Sequence, residues 1–224
     1  MEQYKVDFVH FLVRAKALKF GSFVLKSGRT APYFLNAGCF YTGELLHEFG
    51  RYYAQALLSS GLQPDTIFGP AYKGIPLAVA TTSVLFSDFQ KNVNYSFNRK
   101  EEKDHGADAK TVIVGAPLTP ETKLLLIDDV ITAGTAVRES VELLKKYGNP
   151  QLIGILIALN RMEKTNDGEN ALEQIEKSLG IPVHAIVTLD EVIEVLYNKP
   201  VDGEILIDDV RMEEIRAYRA QYGI

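Results

Sequence analysis

Cysteine occurs once in 224 residues, at Cys39, so no disulfide can close within one chain, and the sequence fits a reducing compartment. Cys39 sits in Asn36-Ala37-Gly38-Cys39-Phe40-Tyr41 with no base beside it in sequence, the setting of a structural thiol rather than a nucleophile. Long apolar runs are missing too: none approaches the roughly 18 residues that cross a bilayer. The first fourteen residues mix acidic, basic and aromatic side chains at helical spacing and lack the apolar core of a signal peptide. The expectation is a cytoplasmic protein that makes no membrane contact. An excess of positive charge is also lacking, since 24 Lys+Arg stand against 29 Asp+Glu for a net charge of -5. That balance argues against binding nucleic acid and leaves room for a local cationic site. Neither a Walker loop nor a Gly-x-Gly-x-x-Gly fingerprint is present. No linker or low-complexity segment divides the chain, so one domain over residues 1–224 is expected, with a small hood formed mainly by about residues 1–40.

From residue 66 onward, short apolar runs alternate with amphipathic ones. Strands are expected over 66–69, 93–97, 111–114, 123–128, 152–160 and 183–188, with helices over 75–86, 134–147, 168–179 and 191–197. Leu124–Ile127 and Ile153–Leu159 are apolar on both faces, as befits central parallel strands covered by helices. The fold class is therefore α/β, a central mostly parallel sheet flanked by helices, with ligands gathered at the carboxyl ends of the strands. Before residue 66 the pattern differs: amphipathic helices at 4–18 and 44–60 enclose a strand-rich stretch at 20–40.

Residues 123–144 carry the strongest chemical signal. An apolar strand ends at Asp128-Asp129, the loop Val130-Ile131-Thr132-Ala133-Gly134-Thr135-Ala136 follows, and a helix starts at once. Free amides at the helix start, with the hydroxyls of Thr132 and Thr135, make an anion pocket. Two carboxylates beside it suit the hydroxyls of a ribose and any positive charge that develops on its ring. A 5-phosphoribosyl group satisfies both halves. The motif Leu126-Ile127-Asp128-Asp129-Val130 recurs as Leu206-Ile207-Asp208-Asp209-Val210, but the second copy lacks the small hydroxyl-bearing loop. It is expected to cap a final helix over 210–222.

The run Leu125–Thr135 resembles the signature of the type I phosphoribosyltransferase family: an apolar strand, two acids, then a Thr/Gly loop. Further stretches resemble the orotate-specific branch of that family: the hood segments 23–29 and 31–38, the loop Gly69-Pro70-Ala71-Tyr72-Lys73-Gly74, the polar segment 99–108 and Ala158-Leu159-Asn160-Arg161. The likeness covers nearly the whole chain. Leu35 and Asn160 stand where relatives tolerate aromatic or acidic side chains. The resemblance implies transfer of a 5-phosphoribosyl group from its 1-diphosphate (PRPP) to orotate, with Mg²⁺ as cofactor. It also implies a homodimer in which a lid reaches the neighbouring subunit's site, and a cis peptide at Ala71–Tyr72.

The implied PRPP contacts are Tyr72, Lys73, Arg99, Lys100, Lys103, His105, Asp128, Asp129 and the loop Val130, Ile131, Thr132, Ala133, Gly134, Thr135 and Ala136. Of these, Lys103, His105, Asp128 and Asp129 are the expected catalytic groups. Cations of the 99–108 segment would neutralise charge on a departing diphosphate, and its closure would exclude water. Orotate is a planar anion, so its site should pair a cation with apolar cover; Lys26, Phe34, Leu35, Thr132 and Arg161 are the candidates, with Arg161 favoured for the carboxylate. Direct metal ligands among the protein residues stay open, the ion being expected on substrate and water. Two rival functions stay open. A purine acceptor would need no cation against the base, and a ligand-sensing regulator would need a basic nucleic-acid surface. His10, His47 and His184 lie outside any such setting.

Overall fold

A computed structural model of the chain describes residues 1–25, 28–100, 112–131, 134–165 and 168–224. The amino-terminal helix α1 (Gln3–Arg14) buries Phe8, Val9, Phe11 and Leu12. It stops four residues short of the expected end because Lys16 turns left-handed, with φ 54°. Leu18 is thereby free to open a strand. Strands β1 (Leu18–Val24) and β2 (Thr30–Leu35) pair antiparallel, Leu18 opposite Leu35, and form the expected strand-rich hood. Helix α2 (Gly43–Ser60) follows, capped by the Thr42 hydroxyl and ended by Gly61 in the left-handed region.

The main sheet is built by β3 (Thr66–Gly69), β4 (Asn94–Asn98), β5 (Ile113–Gly115), β6 (Lys123–Asp128), β7 (Gln151–Asn160) and β8 (Val183–Thr188). Their spatial order is β5-β4-β3-β6-β7-β8. Every pairing is parallel except that of β5 with β4. Helix α3 (Gly74–Phe89) links β3 to β4, α4 (Thr135–Lys146) links β6 to β7, and α5 (Ala171–Leu179) links β7 to β8. Helix α3 runs three residues beyond its expected end. No glycine marks its stop; Gln90 adopts φ 57° instead.

Central strands feed both faces of the sheet, as their unbroken apolar composition requires. Leu125, Ile127, Leu156 and Ala158 join the core shared with α1, α2 and the hood. Leu124, Leu126, Ile155 and Ile157 join a second core under α4 and α5. Chain order reverses between β3 and β6: α3 leads to one side of the sheet and α4 to the other. Such a switch point leaves a crevice at the carboxyl ends of the two strands, and both sequence loops of interest begin there.

Beyond β8 lie α6 (Leu189–Leu196), a two-residue-per-strand hairpin of β9 (Pro200–Val201) and β10 (Glu204–Ile205), and α7 (Asp209–Tyr222). Thr188 and Glu191 form a capping box on α6. The second Asp-Asp pair does what its context suggests: the Asp208 side chain accepts from Arg211 N at 2.8 Å at the start of α7. Asp209 accepts from Tyr197 and Asn198 on the surface.

Candidate active site

The crevice is closed on one side by the loop after β3. Gly69 and Gly74 approach so closely that a Cβ on Gly69 would lie 2.0 Å from the Gly74 carbonyl oxygen, so only glycine fits at this turn. The Ala71–Tyr72 peptide is cis, as the resemblance implied. Asn98, at the end of β4, accepts from Ala71 N at 2.9 Å and so ties the loop to the neighbouring strand. Tyr72 is two-thirds exposed, and the Lys100 ammonium stands 5.0 Å above its ring.

Across the crevice, β6 delivers Asp128 and Asp129. Asp129 is buried and its Oδ2 accepts from Lys73 Nζ at 2.9 Å, the lysine remaining largely exposed. Tyr53 of α2, fully buried, donates to the Asp128 carbonyl at 2.7 Å and pins the strand end. Burial first, then the charge of Asp129, push the Asp128 carboxyl up to about 7. Gly134 caps α4 with φ 71°, and a Cβ there would meet Ile175 at 2.8 Å. Gly134 therefore turns the chain tightly into the helix start, whose amides face outward from the helix end.

A cavity of about 650 Å³ lies beside Asp128 and the start of α4; Tyr72, Lys73, Lys100 and Asp129 are not part of its lining. Asp128, Val130, Ile131, Gly134, Thr135, Ala136 and Arg161 all line it. Arg161, just past β7, is 7% exposed. Its guanidinium lies 4.9 Å over the Tyr33 ring, and its Nε donates to Glu163 Oε1 at 2.9 Å. Burial alone would lower the arginine pKa, but Glu163 and the neighbouring tyrosines more than offset it, and the group stays charged. Asn160 accepts from Met162 N at 2.8 Å, an Asx turn that bends the chain at Arg161.

Not every expected residue meets this cavity. Phe34 is half-buried and stacked on Phe23 at 5.6 Å, while Leu35 is buried in the core; neither is part of the cavity lining. Arg99 lines a different cavity, of about 420 Å³, with β5, Pro117 and Tyr147, and its Nη1 is buried without a hydrogen-bond partner among the described residues. Lys26, Lys103, His105, Thr132 and Ala133 lie outside the described residues. Sequence reasoning missed Tyr53, Asn98, Tyr33 and Glu163. Only Glu163 had a usable signal, an acid two residues beyond an arginine at a strand end.

Among the described residues no cluster of three or more His, Cys, Asp or Glu could hold a metal ion. Asp128 and Asp129 are the two acids on hand. That donor set suits a magnesium ion, which commonly takes one or two carboxylates and fills its other positions with substrate phosphates and water.

Comparisons with known proteins agree with this geometry. The family model of the phosphoribosyl transferase domain matches residues 42–186. The orotate phosphoribosyltransferase of Lachnoclostridium phytofermentans is 45% identical over 225 residues, spanning 100% of this chain and 99% of that protein. That of Pseudomonas fluorescens is 46% identical over 224 residues and spans both chains in full. The crystal structure of the Francisella tularensis orotate phosphoribosyltransferase matches with a TM-score of 0.82 at 39% identity, over 97% of this chain and 100% of that one.

Proposed function

The chain belongs to the orotate phosphoribosyltransferase family, and we propose that it transfers the 5-phosphoribosyl group of PRPP to a ring nitrogen of orotate, forming orotidine 5'-monophosphate and pyrophosphate. The observation that carries this reading is one cavity bounded by Asp128, by the start of α4 and by a buried arginine. Those three features answer the three parts of the product: ribose hydroxyls, 5'-phosphate and an anionic base.

In this reading the amides and hydroxyl at Gly134, Thr135 and Ala136 hold the 5'-phosphate. Asp128 and Asp129 accept from the ribose hydroxyls and stabilise the positive charge that grows on the ring as the bond from C1 to the diphosphate breaks. Lys73, exposed beside Asp129, is placed to exchange its carboxylate partner for a diphosphate oxygen. Tyr72 and Lys100, already paired, extend that cationic edge. Arg161 pairs with the orotate carboxylate. A Mg²⁺ held by the acids and by substrate oxygens would supply further neutralisation of the diphosphate.

The same reading makes residues 1–224 one catalytic unit acting as a homodimer, with Arg99, Lys103 and His105 serving the partner's site. Two observations support it. Arg99 lines the cavity beside β5 and not the Asp128 cavity, and α3 exposes Val79 and Phe86, an apolar surface suited to a second copy. No helix among the described residues is long and apolar enough to cross a membrane, and a single cysteine suits the cytoplasm.

Turnover of PRPP with orotate, adenine or uracil tests the reaction. Pyrophosphate release is expected with orotate alone. Preference for adenine would assign the chain to purine chemistry instead, and no turnover with any base would refute the enzyme reading.

A further inference from the structure

Glu163 lies on the cavity wall beside Arg161, yet its carboxylate is only 14% exposed. Oxygen Oε1 gathers three donors: the Tyr33 hydroxyl at 2.8 Å from β2 of the hood, Arg161 Nε at 2.9 Å, and the Tyr218 hydroxyl at 3.1 Å from α7. Arg161 Nη2 also lies 2.7 Å from this oxygen, but off the direction a hydrogen bond needs, so that buried nitrogen has no hydrogen-bond partner among the described residues. Leaving a buried guanidinium nitrogen unsatisfied costs free energy unless a ligand completes it.

The geometry of a guanidinium gives this arrangement a consequence. Its fork presents two edges to a carboxylate, one made of Nε and Nη2, the other of Nη1 and Nη2. Glu163 Oε1 occupies the first, 2.9 Å from Nε and 2.7 Å from Nη2. The second edge has no hydrogen-bond partner among the described residues and is the one left for an anion. The guanidinium carbon lies 4.9 Å over the Tyr33 ring, a cation–π contact that helps hold it in place.

What holds Glu163 is remote in sequence. Tyr33 and Tyr218 meet edge-on at 5.9 Å. The chain end is sewn to the segment after Arg161: Lys164 N donates to the Tyr222 carbonyl at 2.8 Å, and Ile224 N to the Met162 carbonyl at 3.0 Å. Arg29 of the hood donates to the Lys164 carbonyl at 2.9 Å. Hood, strand end and α7 therefore converge on one carboxylate.

We infer that Glu163 is a positioning residue for the anionic base: by engaging one edge of the Arg161 guanidinium, with Tyr33 and Tyr218 as its supports, it presents the other edge to the substrate carboxylate. This rests on the assignment of Arg161 to orotate. Glu163 itself makes no contact with the reacting atoms, so its effect belongs in base affinity rather than in the transfer step.

Steady-state kinetics of Glu163→Ala, Glu163→Gln, Arg161→Ala and the double variant Arg161→Ala/Glu163→Ala test it. Glu163→Ala is expected to raise the KM for orotate roughly tenfold, the scale of one hydrogen bond to a charged group, with the KM for PRPP unchanged. Glu163→Gln keeps an acceptor oxygen for the same three donors and is expected to restore most of the loss. In the Arg161→Ala background, removing Glu163 should add nothing, because residues acting through one another are not additive. Should Glu163→Ala prove unfolded, Tyr218→Phe removes one support and should raise the orotate KM by a smaller factor, again sparing PRPP. Equal rises in both KM values, a change in kcat alone, or multiplying effects in the double variant would overturn the inference. Arg161→Ala separates the levels. If it leaves the orotate KM unchanged, the base assignment itself falls and this inference with it; if it raises that KM while Glu163→Ala and Tyr218→Phe do not, the inference alone falls.

Discussion

Lys73 Nζ sits 2.9 Å from Asp129 Oδ2, an ion pair that spans the gap between the loop after β3 and the end of β6. It joins the two chain segments that leave the sheet in opposite directions, and it does so across the crevice where a ligand of this fold must lie. The lysine is largely exposed but Asp129 is buried, so removing the lysine leaves a buried carboxylate without its cation and costs stability. Lys73→Ala should therefore lower the melting temperature and also raise the KM for PRPP. A melting temperature that falls with KM unchanged would make the pair structural.

Neutralising the acids tests their part in the chemistry. Asp128→Asn with Asp129→Asn should cut kcat/KM by on the order of 10²-fold or more, the effect of removing an electrostatic stabiliser. The second pair is the control. Asp208→Ala removes a helix cap at α7, so it should cost about 1 kcal/mol of stability in urea denaturation and leave kcat/KM alone. Comparable kinetic losses from the two pairs would break the assignment.

Asp128 also gives the enzyme a pH dependence of known sign. Its folded-state pKa, about 7, lies above the ordinary value of 3.8, so the folded chain holds a proton that the unfolded chain releases. Stability from this group is complete below about pH 4 and is lost as pH rises through about 7. In urea denaturation between pH 5 and 8, the parent should lose stability relative to Asp128→Asn. In the proposed role activity runs the other way: ionised Asp128 would be the form that accepts ribose hydroxyls, so kcat/KM for PRPP should fall below about pH 7, with that limb missing in Asp128→Asn. A limb that survives the substitution belongs to another group.

The Tyr53 hydroxyl is buried with the Asp128 carbonyl as its acceptor. Tyr53→Phe should cost about 1–2 kcal/mol, the loss of a buried hydrogen bond. Urea denaturation measures it, and a neutral result would mean that the strand end holds itself.

The proposed homodimer with a shared site predicts complementation. Lys103→Ala and Asp129→Asn should each be nearly inactive. If the lysine serves the partner, a hybrid dimer has one intact site and one with both lesions. Random mixing makes half the dimers hybrid, so activity should return to roughly a quarter of the parent's. No recovery after confirmed hybrid formation would place the lysine at its own subunit's site.

Much of this was legible before any coordinates. The alternation of apolar runs gave the sheet, because strands covered on both faces must be apolar throughout. The acid pair at 128–129 was readable because strand, loop and helix start are contiguous in sequence. The exit of α1 at Lys16 and the stop of α3 at Gln90 were not, since each uses a left-handed residue other than glycine. The setting of Arg161 was hidden for another reason. Its partners Tyr33 and Tyr218 are 128 and 57 residues distant in sequence, and no local pattern connects them. Phe34 and Leu35 show the converse: apolar residues beside a binding motif can belong to the hood's own packing.

The central claim is that one buried arginine reads the base while the acid loop reads the sugar. Calorimetric titration of Arg161→Ala with orotate and with PRPP tests it most directly. Orotate binding should weaken by roughly tenfold or more, the loss of a charge-assisted pair, while PRPP binds as it does to the parent. Unchanged orotate affinity, or equal loss for both ligands, would contradict it.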